Sequence, residues 1–324
     1  MSVRDVLIVG AGPSGLATAI AAKQHRLDYV LVEKGVLVDG IFRFPTNMVF
    51  FTTPELLEIG GLPLVTPYDK PTRLEALRYY RRVVDSYGLQ ISFHEQVVAI
   101  EREDDVFVVT TDKRVREARA VVLAIGYYDR PNYLGVPGED LPHVSHYYTD
   151  PHPLYRQRVV IVGGKNGAAE AALELFRAGA HVTLVHRHEA LGDSIKYWVR
   201  PDIENRIKEG SVAARFNTRV VEIRKTSVVV EPVDGGEREE IPADGVLLLT
   251  GYHADVDLMR RAGIQINDET LEPTLDPETF ETNVPNLFIA GGATAGRKTG
   301  NIFIENGRFH GDKIIATLAS RSVD

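Results

Sequence analysis

The chain of 324 residues contains no cysteine. This absence excludes disulfide bonds, thiolate metal ligands and a Cys-x-x-Cys redox pair within the sequence. Long apolar runs are also absent, and stretches such as Ala120 to Ile125 are far too short to span a bilayer. Residues 1 to 9 enter a strand without a signal-peptide pattern, so the expected compartment is the cytoplasm.

Basic residues are outnumbered by acidic ones, 37 against 45, and the formal net charge is -8. This balance provides no basic field for nucleic acid or an anionic membrane. Hydrophobic residues make up 44% and charged residues 25% of the chain, as in ordinary soluble globular proteins. The length is sufficient for two domains, each with its own core.

Two glycine-rich loops, about 150 residues apart, each follow an apolar strand and open a predicted helix. The first loop contains Gly10, Gly12, Pro13, Ser14 and Gly15, and the second contains Gly163, Gly164, Lys165, Asn166, Gly167 and Ala168. Glycine lets the backbone approach a pyrophosphate, and the helix N-terminus favours its negative charge. Two such loops predict two dinucleotides, a flavin and a nicotinamide.

An acidic residue completes the first unit. Glu33 ends the second predicted strand, 21 residues after Gly12. A carboxylate at this position is placed to bind the ribose hydroxyls of an adenosine, and we favour this role over that of a solvated acid at a strand end. The other residues assigned to the FAD site are Lys34, Val98, Gly126, Gly292, Asn301 and Ile302.

The second unit ends its corresponding strand in basic residues. His186, Arg187 and His188 stand where an acid would hold a free 2′-hydroxyl, and Arg187 can pair with a 2′-phosphate instead. This predicts NADPH over NADH, the alternative being an ordinary basic surface turn. Lys196, Arg200 and Gly251 are assigned to the same site. Lys165 occupies the second glycine position of the pattern, where it can neutralise pyrophosphate charge.

The order of segments predicts one domain inserted in another. Apolar strands that run into Gly126 and Gly251 mark the two crossover points. We predict an FAD domain of residues 1–126 and 248–324 and an NADPH domain of residues 127–247. The fold class is α/β, with two Rossmann-like three-layer dinucleotide-binding domains. The last helix is predicted from Glu305 to Leu318.

Several segments resemble a known group of flavoproteins. They are Gly126–Asp129, continuing through Val136–Tyr148, then Gly163–Asn166 and Ile302–Gly307. Together with the interrupted domain order, they resemble the low-molecular-weight thioredoxin-reductase-like flavoproteins, and more specifically the bacillithiol-disulfide (bacilliredoxin) reductases. The resemblance covers most of the chain and implies FAD, NADPH and a homodimer or homotetramer.

The chain departs from that group at two places. Members proposed to reduce bacillithiol disulfide carry a cysteine in the first glycine loop, where this sequence has Ser14. A serine hydroxyl is a poor nucleophile toward sulfur. Gly291 and Gly292 stand where many relatives in the wider superfamily have Gly-Asp to hold the flavin ribityl or phosphate, and backbone N–H groups of the following turn can substitute.

The sequence predicts hydride transfer from NADPH to the flavin and leaves the electron acceptor open. The acceptor is bacillithiol disulfide reduced without an enzyme cysteine, or a ferredoxin or quinone; a third hypothesis is a non-catalytic flavin redox sensor. Ser14 is the first catalytic candidate. His310 is the second, as a proton donor near the flavin, although a histidine on a helix face is more often structural. No metal site is predicted.

Overall fold

The computed structural model describes residues 3–321. They form two compact units, one built from the chain up to Arg130 and from Tyr252 onward, the other from Pro131–Gly251. The chain therefore leaves the first unit, builds the second and returns. Among the described residues, no helix is both long enough and apolar enough to cross a membrane.

The first unit begins with a strand, a helix and a second strand around the first glycine loop. Its elements before the crossover are β1 (Arg4–Val9), α1 (Pro13–Gln24), β2 (Tyr29–Val32), α2 (Asp39–Phe42), α3 (Arg73–Tyr87), β3 (Ile91–Ser92), β4 (Val97–Glu103), β5 (Val106–Thr111), β6 (Val115–Leu123) and β7 (Arg130–Pro131). Helix α3 starts at a capping box in which Thr72 and Glu75 exchange hydrogen bonds with each other's backbone N–H.

The central strand β1 is buried on both faces, and its residues alternate between two cores. Val6 and Ile8 pack with α1 and α3, whereas Leu7 and Val9 pack with residues of β4 and β5. Strands β3, β2, β1 and β6 run parallel in that order, and β5 and β4 continue the sheet antiparallel from the first half of β6. Because β1 and β2 are parallel, their carboxyl ends, which lead into the glycine loop and into Glu33, lie at the same edge of the sheet.

The second unit repeats this arrangement. Its elements are β8 (Val144–Ser145), β9 (Arg158–Val162), α4 (Asn166–Arg177), β10 (His181–Val185), α5 (Arg200–Lys208), β11 (Ala213–Arg215), β12 (Thr218–Arg224), β13 (Ser227–Pro232), β14 (Glu239–Pro242) and β15 (Gly245–Leu248). A parallel sheet in the order β11-β10-β9-β15-β8 lies between two layers. Val159 and Ile161 face α4 and α5, while Val160 and Val162 face the antiparallel sheet β12-β13-β14.

The returning chain completes the first unit. It contributes β16 (Tyr252–His253), α6 (Val256–Arg261), β17 (Leu287–Ile289), α7 (Ile304–Gly307) and α8 (His310–Arg321), and β17 pairs in parallel with the second half of β6. The prediction of one terminal helix from Glu305 to Leu318 is wrong, because α7 ends at Gly307. The chain is closely packed at this break, since a Cβ at Gly307 would lie 3.0 Å from the Cα of Gly291.

Candidate dinucleotide sites

The first glycine loop is shaped so that side chains are excluded from two positions. A Cβ on Gly10, whose φ is +104°, would lie 2.5 Å from the carbonyl oxygen of Ala124, and a Cβ on Gly15 would lie 1.9 Å from the oxygen of Gly10. At Gly12, by contrast, a Cβ would meet none of the described atoms within 4 Å. The backbone is therefore closely packed behind the loop and open in front of it, as a pyrophosphate site requires.

A cleft in the first unit opens from this loop. The space between its lining atoms is about 1380 Å³, a figure that includes the open mouth of the cleft. The predicted FAD-site residues that line it are Gly10, Gly12, Pro13, Ser14, Glu33, Lys34, Gly126, Gly292 and Ile302.

Glu33 holds the loop from behind. It is only 6% exposed, and its two carboxylate oxygens accept hydrogen bonds of 2.7 Å from the backbone N–H groups of Ala11 and Gly35. Burial raises the pKa of this carboxyl. Since each carboxylate oxygen can accept a second hydrogen bond, Glu33 can brace the loop and still bind a ribose hydroxyl.

An ion-pair network forms one side of the cleft. Lys34 pairs with Asp129 at 2.6 Å; Arg43 pairs with the same aspartate and, at 2.8 Å, with Asp39. Desolvation lowers the pKa of Lys34. The sequence predicts Lys34 at this site but not its partners. Asp129 and Arg43 are 86 positions apart, so no local pattern could have joined them.

Aromatic rings form another part of the lining. Phe44, Tyr127, Tyr128 and Phe303 border the cleft, and Phe44 meets Tyr128 edge to face with ring centroids 5.1 Å apart. A Cβ at Gly292 would lie 2.7 Å from the Tyr127 ring, and burial raises the pKa of that tyrosine. These flat apolar surfaces suit a planar ring system, and sequence reasoning did not identify them.

Three of the predicted FAD-site residues lie outside the cleft lining. Val98 is 41% exposed, and its neighbour Val97 faces the cleft instead, because successive side chains of a strand point to opposite faces. Asn301 is exposed, with its carbonyl oxygen accepting a hydrogen bond from the Asn306 side chain. Gly15 is buried behind the loop.

The two catalytic candidates have different surroundings. Ser14 lines the cleft, and its Oγ lies against the backbone of Gly291 and Gly307. His310 does not line the cleft and is buried, and its Nδ1 accepts a hydrogen bond from the Gly291 N–H. Burial lowers the pKa of His310 to about 4, so the ring is neutral near pH 7. This placement gives no support to His310 as a proton donor to a flavin.

The second glycine loop repeats the packing of the first. A Cβ on Gly163 would lie 2.6 Å from the oxygen of Leu249, and one on Gly164 would lie 2.3 Å from the His186 ring. Ala168 is buried, and a Cβ at Gly167 would meet none of the described atoms within 4 Å. Helix α4 begins at Asn166, so its first N–H groups lie next to this loop.

The segment 192–196 is hydrogen-bonded to this loop. The Gly192 N–H donates to the oxygen of Gly164, and the Asn166 side chain donates to the oxygen of Ser194 while accepting from the N–H of Lys196. The Lys196 ammonium pairs with Glu170 at 2.5 Å. Lys196 is thus brought to the loop, as the sequence predicts, but part of its charge is already compensated. The bridging role of Asn166 was missed, because its partners lie 28 and 30 residues away.

Arg187 keeps its charge available. It is exposed, its Nε lies 3.3 Å from Nε2 of His188, and no carboxylate within residues 3–321 forms an ion pair with it. The rings of His186 and His188 meet edge to face at 5.1 Å, and desolvation lowers the pKa of His186. An exposed, uncompensated guanidinium beside a phosphate loop can bind a second phosphate. Gly251 lies at the end of this unit, where its oxygen accepts from the N–H of Asn132.

Comparison with known proteins gives consistent matches. A family model for pyridine nucleotide-disulphide oxidoreductases matches residues 7–291. Bacilliredoxin reductase Bdr of Bacillus subtilis (strain 168) is 42% identical over 324 residues, 99% of each chain. The solved structure of bacillithiol disulfide reductase Bdr from Bacillus cereus has a TM-score of 0.96 at 40% identity, covering 99% of this chain and 100% of that one.

A more distant structure is similar in fold. Thioredoxin reductase of Lactococcus lactis (FR conformation) has a TM-score of 0.79 at 21% identity, covering 99% of both chains. The predicted fold class, two Rossmann-like domains in the thioredoxin reductase architecture, is confirmed. The resemblance to bacillithiol-disulfide reductases is confirmed as well.

Proposed function

The chain belongs to the pyridine nucleotide-disulphide oxidoreductase family, and from this membership we propose that it transfers hydride from NADPH through FAD to a disulfide acceptor. It is an FAD-dependent oxidoreductase, and its thioredoxin-reductase-like relatives bind FAD and NADPH, the pair that the sequence predicts. The observation that carries the proposal is the cleft at the first glycine loop, where Gly12 leaves open space in front of a braced backbone.

FAD fits the residues of the first unit. The N–H groups at the start of α1 face the open side of the loop, and Glu33 offers acceptor positions for ribose hydroxyls. Tyr127, Tyr128 and Phe44 offer flat surfaces for a ring system and exclude water from it. When bound, FAD supplies a two-electron acceptor that can pass its electrons on.

NADPH fits the second unit. The start of α4 with Lys165 would hold the pyrophosphate, and Arg187 with the flanking imidazoles of His186 and His188 would hold the 2′-phosphate. The absence of an acid at the end of β10 in the sequence removes the group that would repel that phosphate. We therefore infer a preference for NADPH over NADH.

The acceptor that we propose is bacillithiol disulfide. One NADPH and one proton reduce one disulfide to two thiols and leave NADP⁺, so electrons and protons balance without an enzyme thiol. This chain has no cysteine to form a mixed disulfide, and FAD held in the cleft of the first unit would supply the two electrons that reduce the S–S bond. Support comes from the relatives named for bacilliredoxin and bacillithiol disulfide.

An anaerobic experiment tests both halves. NADPH is added to the FAD-loaded protein while the visible flavin absorbance is followed, NADH serves as the matched nucleotide, and oxidised bacillithiol is then injected. Bleaching that is much faster with NADPH, followed by recovery on injection, is the expected result. Bleaching without recovery would contradict the disulfide acceptor and direct the search to ferredoxins and quinones.

Absence of bleaching would contradict the hydride-transfer proposal itself. Bound FAD that NADPH does not reduce would favour a non-catalytic redox sensor over an enzyme. The predicted homodimer or homotetramer stays a prediction, to be measured by light scattering on the same sample.

A further inference from the structure

His310 lies in the first turn of α8, outside the lining of the cleft, and is only 7% exposed. Its ring stacks on Phe280, with centroids 3.9 Å apart and planes 15° from parallel. Its Nδ1 accepts a hydrogen bond of 3.1 Å from the backbone N–H of Gly291. The ring is therefore neutral with its proton on Nε2, because Nδ1 must keep a lone pair to accept.

The residue that His310 holds is confined from several directions. Gly291 has a φ of +69°, and its oxygen accepts a 2.9 Å hydrogen bond from the Thr294 hydroxyl. A Cβ at Gly291 would lie 2.3 Å from the Oγ of Ser14 in the first glycine loop. Gly291 thus connects the loop at the start of α1 with the helix that carries His310, and its N–H, its oxygen and its Cα all have defined neighbours.

The next residue reaches the cleft. Gly292 belongs to the lining and lies against the Tyr127 ring, in the short turn of Gly291–Ala295. The N–H that His310 holds belongs to the peptide before Gly291, and the oxygen that Thr294 holds belongs to the planar peptide between Gly291 and Gly292. Together the two hydrogen bonds restrict φ and ψ of Gly291, and therefore the direction in which Gly292 enters the cleft. Gly292 has no side chain, so only its backbone can provide contacts at this point of the cleft.

We propose that His310 is a positioning residue for FAD, which sets the affinity of the cleft by holding the Gly291–Gly292 backbone in its binding conformation. The inference rests on the proposed function in one respect, that the cleft of the first unit takes FAD. Histidine suits the role because its Nδ1 is a hydrogen-bond acceptor placed 3.1 Å from the Gly291 nitrogen. An aliphatic residue would leave the buried Gly291 N–H without an acceptor.

The test measures FAD dissociation constants of His310→Leu and His310→Asn by titrating apoprotein with FAD. A lost acceptor of ~1.4 kcal/mol predicts about tenfold weaker binding for His310→Leu. His310→Asn should restore the affinity, because an asparagine Oδ1 can reach the position of Nδ1. Phe280→Leu is the matched control. It removes the stacking partner and should lower the thermal stability while leaving FAD affinity close to that of the wild type.

Two results would overturn the proposal. One is wild-type affinity in His310→Leu with only a lowered melting temperature, and the other is an Asn variant that binds as weakly as the Leu variant. If His310→Leu does not fold, His310→Gln replaces it in the test. The glutamine amide is one carbon farther from the backbone than the position of Nδ1, so His310→Gln should bind FAD more weakly than His310→Asn. If the wild-type protein itself does not bind FAD, the proposed function fails, which separates the two conclusions.

Discussion

Replacement of Glu33 by glutamine is the sharpest test of the first cofactor site. In the native protein, the two carboxylate oxygens accept from the N–H groups of Ala11 and Gly35, both at 2.7 Å. Glutamine has nearly the same shape but only one acceptor oxygen. In Glu33→Gln, an amide NH₂ must therefore face one of the two backbone N–H groups in a site where only 6% of the residue is exposed.

The magnitude follows from that mismatch. A buried donor left without an acceptor costs ~1–3 kcal/mol, which corresponds to a factor of about 5 to 150 in an equilibrium constant. Because Ala11 belongs to the glycine loop, we expect most of this cost to appear when the loop takes its binding conformation. The FAD dissociation constant of Glu33→Gln should rise within this range, and any lost bond to a ribose hydroxyl would add to it.

The assay is titration of apoprotein with FAD, with thermal unfolding measured in parallel. Glu75→Gln is the matched control, because Glu75 also accepts from a backbone N–H, that of Thr72 at 2.7 Å, but belongs to the cap of α3 and does not line the cleft. It should lose stability and keep FAD affinity. If Glu33→Gln binds FAD as tightly as the wild type, Glu33 neither braces the loop nor contacts the ribose.

Four further predictions concern single residues. Arg187→Ala should weaken NADPH binding about 10- to 100-fold, because a charged hydrogen bond is lost, and should leave NADH binding unchanged. The measurement is the rate of flavin reduction as a function of nucleotide concentration. Equal losses for both nucleotides would contradict the assignment of Arg187 to the 2′-phosphate. Gly12→Ala should keep its thermal stability but lose FAD binding, whereas Gly10→Ala should lose both thermal stability and FAD binding. The reason is that only the Cβ at position 10 meets protein atoms. Equal melting temperatures of the two variants would argue against this packing. The pKa of His310 is lowered to about 4 by burial and Lys313, so the unfolded chain takes up the proton first, and stability is full above pH 6.5 and falls toward pH 4. Relative to His310→Asn, the wild type should lose up to about 3 kcal/mol of unfolding free energy between pH 6.5 and pH 4, as measured by denaturant unfolding. If the unfolding free energies of the two proteins change in parallel with pH, the lowered pKa of His310 is refuted. Ser14→Ala should leave reoxidation by oxidised bacillithiol unchanged, and a large loss would assign chemistry to the hydroxyl.

Local patterns in the sequence were sufficient for the elements around both glycine loops. The prediction that each glycine loop follows an apolar strand and opens a helix matches β1 with α1 and β9 with α4, because strand, glycine turn and helix are all encoded within about 30 residues. The fold class and the cofactor pair followed from the same two units. Chemistry that depends on residue type alone, such as the absence of any thiol, was also fixed at this level.

Only the tertiary structure decided contacts between distant segments. Arg43 and Asp129, Asn166 with Lys196, and Gly291 with His310 are joined by packing of separate elements, and nothing in their neighbouring residues signals the pairing. The wrong placement of Val98 in the FAD site has a related cause. A strand is recognisable from its sequence, but which face turns to the cleft depends on the sheet it joins, and an assignment displaced by one residue moves the side chain to the opposite face.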